Sequence, residues 1–371
     1  MANTFLTPSV IAKEALLQLE NNLVMADLVH RDYSDEFVKV GDTVTIRKPA
    51  ELKAKNFSSS INSGQISKQD VTESSVAVKL DRFRDVSVAI TSKQLTLDIK
   101  DFSEQIIKPA MRAIAQSIDE DLIAYGVEHA GSTVTATASP TNLADIANIS
   151  KQLDLKKSPM EERRLVLHPT HKYKYALTDN LSKVAYAGDN ETLREALLGK
   201  VYSLETYMDQ NAPDTSAESA GTATAYKVAG TAGNSYVAIS GLSSATATIK
   251  TGDAFIYNGY VYRFTADGTG VDSAIASLAI DQPLVNTIEA TDSIVIVNKP
   301  SSLAFQKNGL ALVTRQLELP LGASNSAVES ANGIGVRVVY GYDQDTKTDT
   351  ISFDVLYGIK ELNNDLIVKL V

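Results

Sequence analysis

Residues 37–49 have the sequence FVKVGDTVTIRKP, in which apolar and polar side chains alternate as they do along a half-buried β-strand. A second run, VAVKL at residues 76–80, follows a polar stretch (residues 57–72) rich in Ser, Asn, Gln and Lys. The two runs predict a long β-hairpin, which we call the β-arm (residues 37–80). An isolated hairpin is only marginally stable in water, so we expect the β-arm to lie on another copy of the chain. This favours a self-assembling protein over an enzyme.

The composition is that of a globular protein. The chain has 371 residues, enough for two or three domains, of which 44% are hydrophobic and 22% charged. It contains no Cys, which excludes disulfides and thiolate chemistry. We expect no signal peptide, because the first six residues lack a basic region before an apolar core. No apolar run approaches the roughly 18 residues of a membrane helix. These features fit assembly in a reducing cytoplasm.

The charge is distributed unevenly. The net charge of −10 argues against sequence-specific binding of nucleic acid, although the wall of a container needs only to tolerate it. Residues 39–84 hold nine Lys and Arg against five Asp and Glu, whereas residues 101–130 hold two against six. The segments are either two solvated faces or a basic arm that meets the acidic helix of a neighbouring subunit. The candidates for such an assembly interface are Lys79, Arg82, Arg84, Asp119, Glu120, Asp121 and Glu128.

A long helix follows the β-arm. Apolar residues recur every four positions from Ile106 to Leu122, and Asp101 or Ser103 can cap the start. A helix of about 27 residues would be roughly 40 Å long, and we call it the spine helix. Pro109 should kink it or shift its start. An amphipathic helix is also predicted over residues 9–29.

The rest of the chain predicts alternating elements of a larger α+β domain. Helices are expected at residues 141–156 and 190–197, and strands at residues 164–167, 201–208, 310–319, 336–340, 351–357 and 366–370. The composition changes at residue 212: only twelve of the 89 residues from 212 to 300 are charged, and short β-like runs alternate with Gly/Asp turns. We call this segment the insert and expect a small all-β barrel or sandwich whose removal leaves the larger domain folded.

These patterns divide the chain into five parts. The predicted parts are an N-terminal helical arm (residues 1–35), the extended β-arm with peripheral strands (36–100), the spine helix and central α+β domain (101–211), the insert (212–300), and a return to the central domain (301–371).

The order of these parts resembles that of tailed-phage major capsid (coat) proteins with the Hong Kong 97-type fold. It is most similar to the branch typified by phage P-twenty-two, whose coat proteins carry an inserted β domain. Residues 41–49 (GDTVTIRKP) resemble the ascending strand of that family's extended loop. Residues 164–169 (RLVLHP) resemble its strand-to-helix step, and residues 198–207 (LGKVYSLETY) the strand that often follows. The resemblance implies an N-terminal arm, an extended hairpin loop, a spine helix, and peripheral and axial domains.

The resemblance also implies a function. Pentamers and hexamers of the chain would tile an icosahedral shell that encloses packaged double-stranded DNA, as the virion capsid of a phage or prophage assembled in the bacterial cytoplasm. The chain departs from some relatives in having no long scaffolding segment before the β-arm, which implies a separate scaffolding protein, together with a portal. Two alternatives remain: an encapsulin-like compartment that holds cargo enzymes, and a β-rich tail or surface-adhesion protein.

The patterns that could carry chemistry favour structural interpretations. His168 and His171 lie three residues apart, but a closed zinc site would need distant carboxylates as further ligands. Residues 343–349 (DQDTKTD) imitate a calcium loop, but Thr348 stands where Gly is required and no Glu ends the loop. No P-loop, dinucleotide-binding motif or Gly-x-Ser-x-Gly motif occurs. We therefore expect no catalytic residue, no cofactor, no metal and no membrane partner.

Overall fold

The computed structural model describes residues 8–31, 43–48, 54, 74–91, 103–137, 143–178, 198–214, 221–297, 299–320, 325–331, 334–343 and 348–371. Its α-helices in these ranges are α1 (Pro8–Asn22), α2 (Lys108–Glu128), α3 (Ala144–Leu155) and α4 (Pro169–Ala176). The predicted helix at 190–197 and the polar tip of the β-arm (57–72) lie outside the described residues.

The described strands, in chain order, are β1 (Thr43–Lys48), β2 (Ser74–Lys79), β3 (Arg82–Thr91), β4 (Ser132–Val134), β5 (Arg163–Leu167), β6 (Lys200–Val201), β7 (Leu204–Met208), β8 (Lys227–Ala229), β9 (Tyr236–Ser240), β10 (Thr248–Ile249), β11 (Ala254–Tyr257), β12 (Tyr260–Arg263), β13 (Gly268–Thr269), β14 (Ala274–Ala279), β15 (Val295–Val297), β16 (Ser302–Gln306), β17 (Leu310–Arg315), β18 (Asn325–Ala331), β19 (Ile334–Asp343), β20 (Thr348–Glu361) and β21 (Ile367–Leu370).

Two larger sheets organise the main body. A six-stranded sheet has the order β4-β21-β16-β5-β7-β6, in which β4 pairs with β21 and β5 with β7 in parallel. A five-stranded antiparallel sheet has the order β17-β20-β19-β18, with β3 along the other side of β20. The strand predicted over residues 201–208 is a hairpin, because Tyr202 and Ser203 have φ of 46° and 65° and form a two-residue turn. The α+β class predicted from the sequence is confirmed.

The spine helix is α2, preceded by one π-helical turn at Ser103–Ile107. The α-helix begins immediately before Pro109, whose missing N–H is tolerated in a first turn but not further along a helix. The predicted shift of the start is therefore confirmed. The apolar stripe is buried from Ala110 to Leu122, with Ile114 1% and Leu122 0% exposed.

The N-terminal helix α1 ends earlier than predicted. It stops at Asn22, and a 3₁₀ turn at Met25–Asp27 follows. The carboxylate of Asp119 on α2 accepts hydrogen bonds from the backbone N–H groups of Val24 and Met25, each at 3.0 Å. This side chain holds the chain in the turn. The helix is amphipathic as predicted: Leu16 and Leu19 are 6% and 0% exposed, whereas Val10 near its start is 45% exposed.

The base of the β-arm is antiparallel, with Thr43 opposite Lys79 and Lys48 opposite Ser74. Its inner face, which includes Val44 and Val78, packs against β17 of the same chain. One face of this base is therefore buried within the same chain, and the expectation that the β-arm lies on another copy stays a prediction for its other face. The other face, Ser75, Ala77 and Lys79, is exposed.

The described part of the insert consists of three small sheets, β10-β13, β12-β11-β15 and β14-β9-β8. They surround their own hydrophobic cluster, to which Phe255 and Tyr262 belong. The same two strands, β11 and β12, turn Ala254, Ile256 and Val261 into the core of the main body. One sheet of the insert, β12-β11-β15, therefore packs one of its faces into the core of the main body, and removal of the insert would open that core. The boundaries of the five parts, including 212–300, stay predictions.

We predict that the two faces of β11 report on different cores. Phe255→Ala and Ile256→Ala each remove a fully buried side chain, at a cost of about 3–5 and 2–5 kcal/mol respectively. In hydrogen exchange read by mass spectrometry, Phe255→Ala should raise exchange chiefly across residues 223–288. Ile256→Ala should raise it in the spine helix as well. If hydrogen exchange in the spine helix were the same in both variants, Ile256 would not support the core of the main body.

Candidate functional site: the junction of β-arm, spine helix and insert

Arg82 and Asp121 form a buried ion pair. Arg82 is the first residue of β3, directly after the β-arm, and its side chain is 3% exposed. Its Nη1 lies 3.0 Å from Oδ2 of Asp121 on the spine helix, whose side chain is 4% exposed. The guanidinium carbon also lies 4.1 Å from the ring centroid of Tyr260 on β12, in a cation–π contact. The pair thus joins three segments that are far apart in sequence.

Arg84 and Tyr357 complete the bonding of the same carboxylate. Arg84 Nη2 donates to Asp121 Oδ1 at 2.9 Å and to Oδ2 at 2.8 Å. The hydroxyl of Tyr357, on β20 opposite Arg82, donates to Oδ2 at 2.5 Å. Residues two apart on a strand share a face, which is why both arginines reach the helix while Phe83 between them is 50% exposed.

A tight turn of the insert closes the site. Asn258 and Gly259 link β11 to β12 with φ of 52° and 72°, the left-handed pair of a two-residue hairpin. Their carbonyl oxygens accept from Arg82 at 2.6 and 3.3 Å. Their N–H groups donate to Glu128 of the spine helix at 3.0 and 2.6 Å. The turn is thus held by charge on both sides, and we call the whole set (Arg82, Arg84, Asp121, Glu128, Asn258, Gly259, Tyr260 and Tyr357) the junction.

The groups around Arg82 stabilise its charge. Burial opposes the charged form, but Asp121, Tyr260 and Tyr357 together outweigh burial and raise the pKa of the guanidinium. Burial and the charge of Asp121 raise the pKa of Tyr357 well above its usual value. Both arginines therefore remain charged and the phenol keeps the proton that it donates. These three side chains therefore serve to hold the segments of the junction together.

The structure brings most of the predicted interface residues together, but within one chain. Arg82 and Asp121 are paired and buried, and Asp119 is 0% exposed with both oxygens bound to the turn after α1. These three side chains are therefore buried and paired within one chain, and their part in contacts between subunits stays a prediction. The complementary charge of the two segments contributes to folding of the single chain.

The remaining interface candidates differ in exposure. Glu120 pairs with Arg263 of the insert at 2.7 Å, with side chains 29% and 31% exposed. Glu128 is bound to the insert turn, and Arg84 is partly exposed beside Asp121. Lys79 is exposed on the outer face of the β-arm. For these four residues the interface stays a prediction, and Lys79 has the most surface to support it.

His168 and His171 belong to the place where the insert joins the main body. Nδ1 of His171 lies 2.7 Å from Oγ of Ser302, which is 0% exposed, and Nε2 of His168 lies 3.3 Å from Asp214. Burial, Lys174 and His168 lower the pKa of His171 to about 4, so it is neutral near pH 7. A serine this buried cannot meet a substrate, so these contacts serve the connection to the insert. Within the described ranges, no three His, Cys, Asp or Glu side chains group as metal ligands.

The other motif weighed from the sequence, residues 343–349, is a hairpin connection. Strands β19 and β20 pair up to Asp343 opposite Thr348, which agrees with the predicted charged turn. Residues 344–347 lie outside the described part of the chain. In that part, no helix has the length and apolar character needed to cross a membrane.

Comparison with known proteins identifies the fold. No protein-family model matches the chain, and no curated protein matches it. Among solved structures, one from Mycobacterium phage Che8 is 14% identical, with a TM-score of 0.57 over 94% of this chain and 90% of that chain. The capsid structure of the cyanophage P-SCSP1u is 13% identical, with a TM-score of 0.53 over 94% of this chain and 87% of that chain.

A third structure, from the mature capsid of bacteriophage PhiM1, is 11% identical, with a TM-score of 0.51 over 90% of this chain and 83% of that chain. The chain has a phage capsid fold. The resemblance to phage capsid proteins predicted from the order of elements is confirmed over nearly the whole chain, whereas the branch with an inserted β domain stays a prediction. In this capsid fold the junction lies where the β-arm, spine helix and insert meet.

We predict that the turn of the capsid-fold junction cannot accept a side chain. A Cβ on Gly259 would lie 2.5 Å from Nη2 of Arg82 and 2.7 Å from Cδ2 of Tyr125. Gly259→Ala should therefore add about 1–3 kcal/mol of overpacking to the roughly 1–2 kcal/mol cost of its left-handed backbone. Urea unfolding followed by circular dichroism measures the loss.

The matched control is Gly241→Ala, also in the insert. Its φ is +65°, and no atom lies within 4 Å of the added Cβ. This substitution should therefore lower the unfolding free energy only by the cost of the left-handed backbone. Equal losses of unfolding free energy in Gly259→Ala and Gly241→Ala would contradict the close packing of the turn against Arg82.

We predict that Asp119 makes stability fall as pH rises. Burial, followed by the charge of Asp209, raises the pKa of Asp119 to about 7, against about 3.9 in an unfolded chain. Between these values the folded state binds more protons, so the stabilisation is present at low pH and is lost as pH rises through about 7.

The measurement is the stability of the parent chain minus that of Asp119→Asn, taken from urea unfolding in metal-free buffer. Taking this difference cancels the contributions to the unfolding free energy from groups that both proteins contain, including the histidines. It should fall by about 2–3 kcal/mol from about pH 5 to about pH 8. A difference that is flat across this range would show that the carboxyl of Asp119 is ionised throughout.

Proposed function

We propose that the chain is a major capsid protein of a tailed phage or prophage with the Hong Kong 97-type fold. It would assemble into pentamers and hexamers that tile an icosahedral shell around packaged double-stranded DNA. The observation that carries the proposal is the similarity to phage capsid structures over 90–94% of the chain. A protein of this kind acts mechanically and has no reaction to catalyse.

The geometry of the junction supports a mechanical role. A shell subunit must transmit force between its extended arm and its body without deforming. Here β3, the strand that follows the β-arm, is fixed to the spine helix by two guanidiniums and one carboxylate, all largely removed from water. Breaking a buried pair of this kind costs about 3–5 kcal/mol, so the base of the β-arm keeps its direction while its outer face stays exposed.

The proposal includes partners and location. A separate scaffolding protein would direct assembly, a portal would occupy one vertex, and the shell would form in the bacterial cytoplasm and persist as the virion capsid. The insert, with its own hydrophobic cluster, supports the branch of the family that carries an added β domain. The capsid fold favours this function over a β-rich tail or adhesion protein.

The first prediction from this function is that the purified chain forms shells, sheets or ring-like capsomers. The exposed outer face of the β-arm motivates it, since permanent interfaces bury about 2,000 Å² or more. Negative-stain electron microscopy and light scattering would be applied to the chain with and without the proposed scaffolding protein. A 39.9 kDa monomer at high concentration in every condition would refute it. Shells that hold a cargo enzyme would indicate the encapsulin-like alternative, and glycan affinity without shells the adhesion protein.

The second prediction concerns Lys79. Lys79→Glu reverses an exposed charge on the β-arm without touching the junction, so the subunit should stay folded. Each exposed pair is worth about 0.2–1 kcal/mol, repeated at every subunit, so the critical concentration for assembly should rise several-fold. High salt should reduce the defect by screening. Lys227→Glu, an exposed lysine of the insert, is the control. Equal assembly of both variants would remove Lys79 from the interface.

A further inference from the structure

A cavity of about 250 Å³ lies on the side of the spine helix away from the junction. It is bounded by the chain after α1 (Asn22 and Val24), by α2 (Arg112, Gln116 and Asp119), and by the loop after β7 (residues 208–211). The three residues from α2 follow at steps of four and three, so they share one face of the helix. The cavity thus lies between three segments that only tertiary folding brings together.

Two buried carboxyl groups line this cavity. Asp119 is 0% and Asp209 3% exposed. Oδ1 of Asp209 accepts from the backbone N and from Nδ2 of Asn211, at 2.8 and 2.9 Å. Oδ2 of Asp209 is buried and has no hydrogen-bond partner among the described residues. A buried carboxylate oxygen without a partner costs free energy, so the site lacks a group that would satisfy it.

The other carboxyl group has spare capacity as well. Each oxygen of Asp119 accepts one backbone N–H, from Met25 or Val24, and a carboxylate oxygen has two lone pairs. After burial, the charge of Asp209 is the largest cause that raises the pKa of Asp119, so the two carboxyl groups lie close enough to interact. Arg112 lines the cavity but is exposed, and it makes no ion pair with either carboxylate in the described structure.

We propose that the cavity between Asp119 and Asp209 is a binding site for a hard divalent cation, Ca²⁺ or Mg²⁺. Two carboxylates balance a double positive charge, and the unpartnered oxygen of Asp209 becomes a ligand. Such ions prefer carboxylate, amide and water oxygens, and the side-chain amides of Gln116 and Gln210 line the same cavity. At about 30 Å³ per water, the volume holds the ion with several waters.

The bound cation would link three segments of the subunit. Asp119 already holds the turn after α1 against the spine helix, and Asp209 lies three residues before the insert begins at residue 212. A cation between them would tie the N-terminal helix, the spine helix and the connection into the insert at one point. This inference concerns the subunit itself and stands whether or not the chain forms shells.

The test is calorimetric titration of the full chain with CaCl₂, MgCl₂ and MnCl₂ at about pH 8, where Asp119 is ionised. Asp27, Arg112 and Asp209 are the charged groups around it. One cation per chain should bind the parent protein. Asp209→Asn should weaken binding by about 10- to 100-fold or more. Asp272→Asn, which removes an exposed aspartate elsewhere, should bind like the parent.

Arg112→Gln distinguishes a cation site from the alternative that Arg112 itself neutralises the two carboxylates. Loss of this positive charge should leave cation binding unchanged or tighter. Binding that appears only in Arg112→Gln would mean that Arg112 already neutralises the pair, and would overturn the proposal. So would the absence of saturable binding by the parent protein up to about 1 mM cation, or equal binding by Asp209→Asn.

A second measurement does not depend on the folding of any variant. The melting temperature of the parent protein should rise on addition of Ca²⁺ or Mg²⁺ and fall back on addition of chelator, with no such response to Na⁺ at equal ionic strength. The rise should shrink at about pH 5, where Asp119 is protonated. If the melting temperature of the parent protein did not change with Ca²⁺ or Mg²⁺, the proposed cation site would be wrong, even if Asp209→Asn failed to fold.

Discussion

The carboxylate of Asp121 is the constraint on which the rest of the structure depends. A charge that is 4% exposed must be paired, and here it accepts from Arg82, Arg84 and Tyr357 at 2.5–3.0 Å. These groups come from β3, which follows the β-arm, and from β20, the longest strand described, while Tyr260 of the insert stacks on the guanidinium of Arg82. Loss of one partner would cost about 3–5 kcal/mol out of a total stability of about 5–15. The directions of β-arm, spine helix and insert are therefore fixed together.

Sequence periodicity predicted the elements that bury one face. The apolar stripe from Ile106 to Leu122 predicted the spine helix, and alternating apolar residues predicted the β-arm and β3. In each element the buried side chains recur with the period of a helix or of a strand. Charge counting predicted that basic and acidic segments meet, but not where. A sum over residues 39–84 mixes Lys79, which is exposed, with Arg82, which is buried. The alternation of β3 was the available signal, since it places Arg82 and Arg84 on the face shared with Val86 and Val88.

The insert shows a second limit of sequence reasoning. The drop in charge at residue 212 marked where the composition changes, but it did not show that one sheet of the insert packs into the core of the main body. The runs AFIY and YVYR, residues 254–257 and 260–263, carry apolar side chains at every position but one. A half-buried strand would alternate, so such runs indicate strands covered on both faces. The position of Asp209 beside Asp119 had no comparable signal, because 90 residues separate them.

In the proposed shell, buried and exposed charge would have different tasks. The strong pairs at the junction lie inside one subunit and are unavailable to its neighbours, so contacts between subunits must come from outer faces such as Ser75, Ala77 and Lys79 on the β-arm. Exposed contacts of this kind are individually worth about 1 kcal/mol or less. Contacts that weak let a misplaced subunit dissociate, whereas their repetition around closed rings makes a completed shell stable. Strength within the subunit and weakness between subunits are then both required for a closed shell to form without errors.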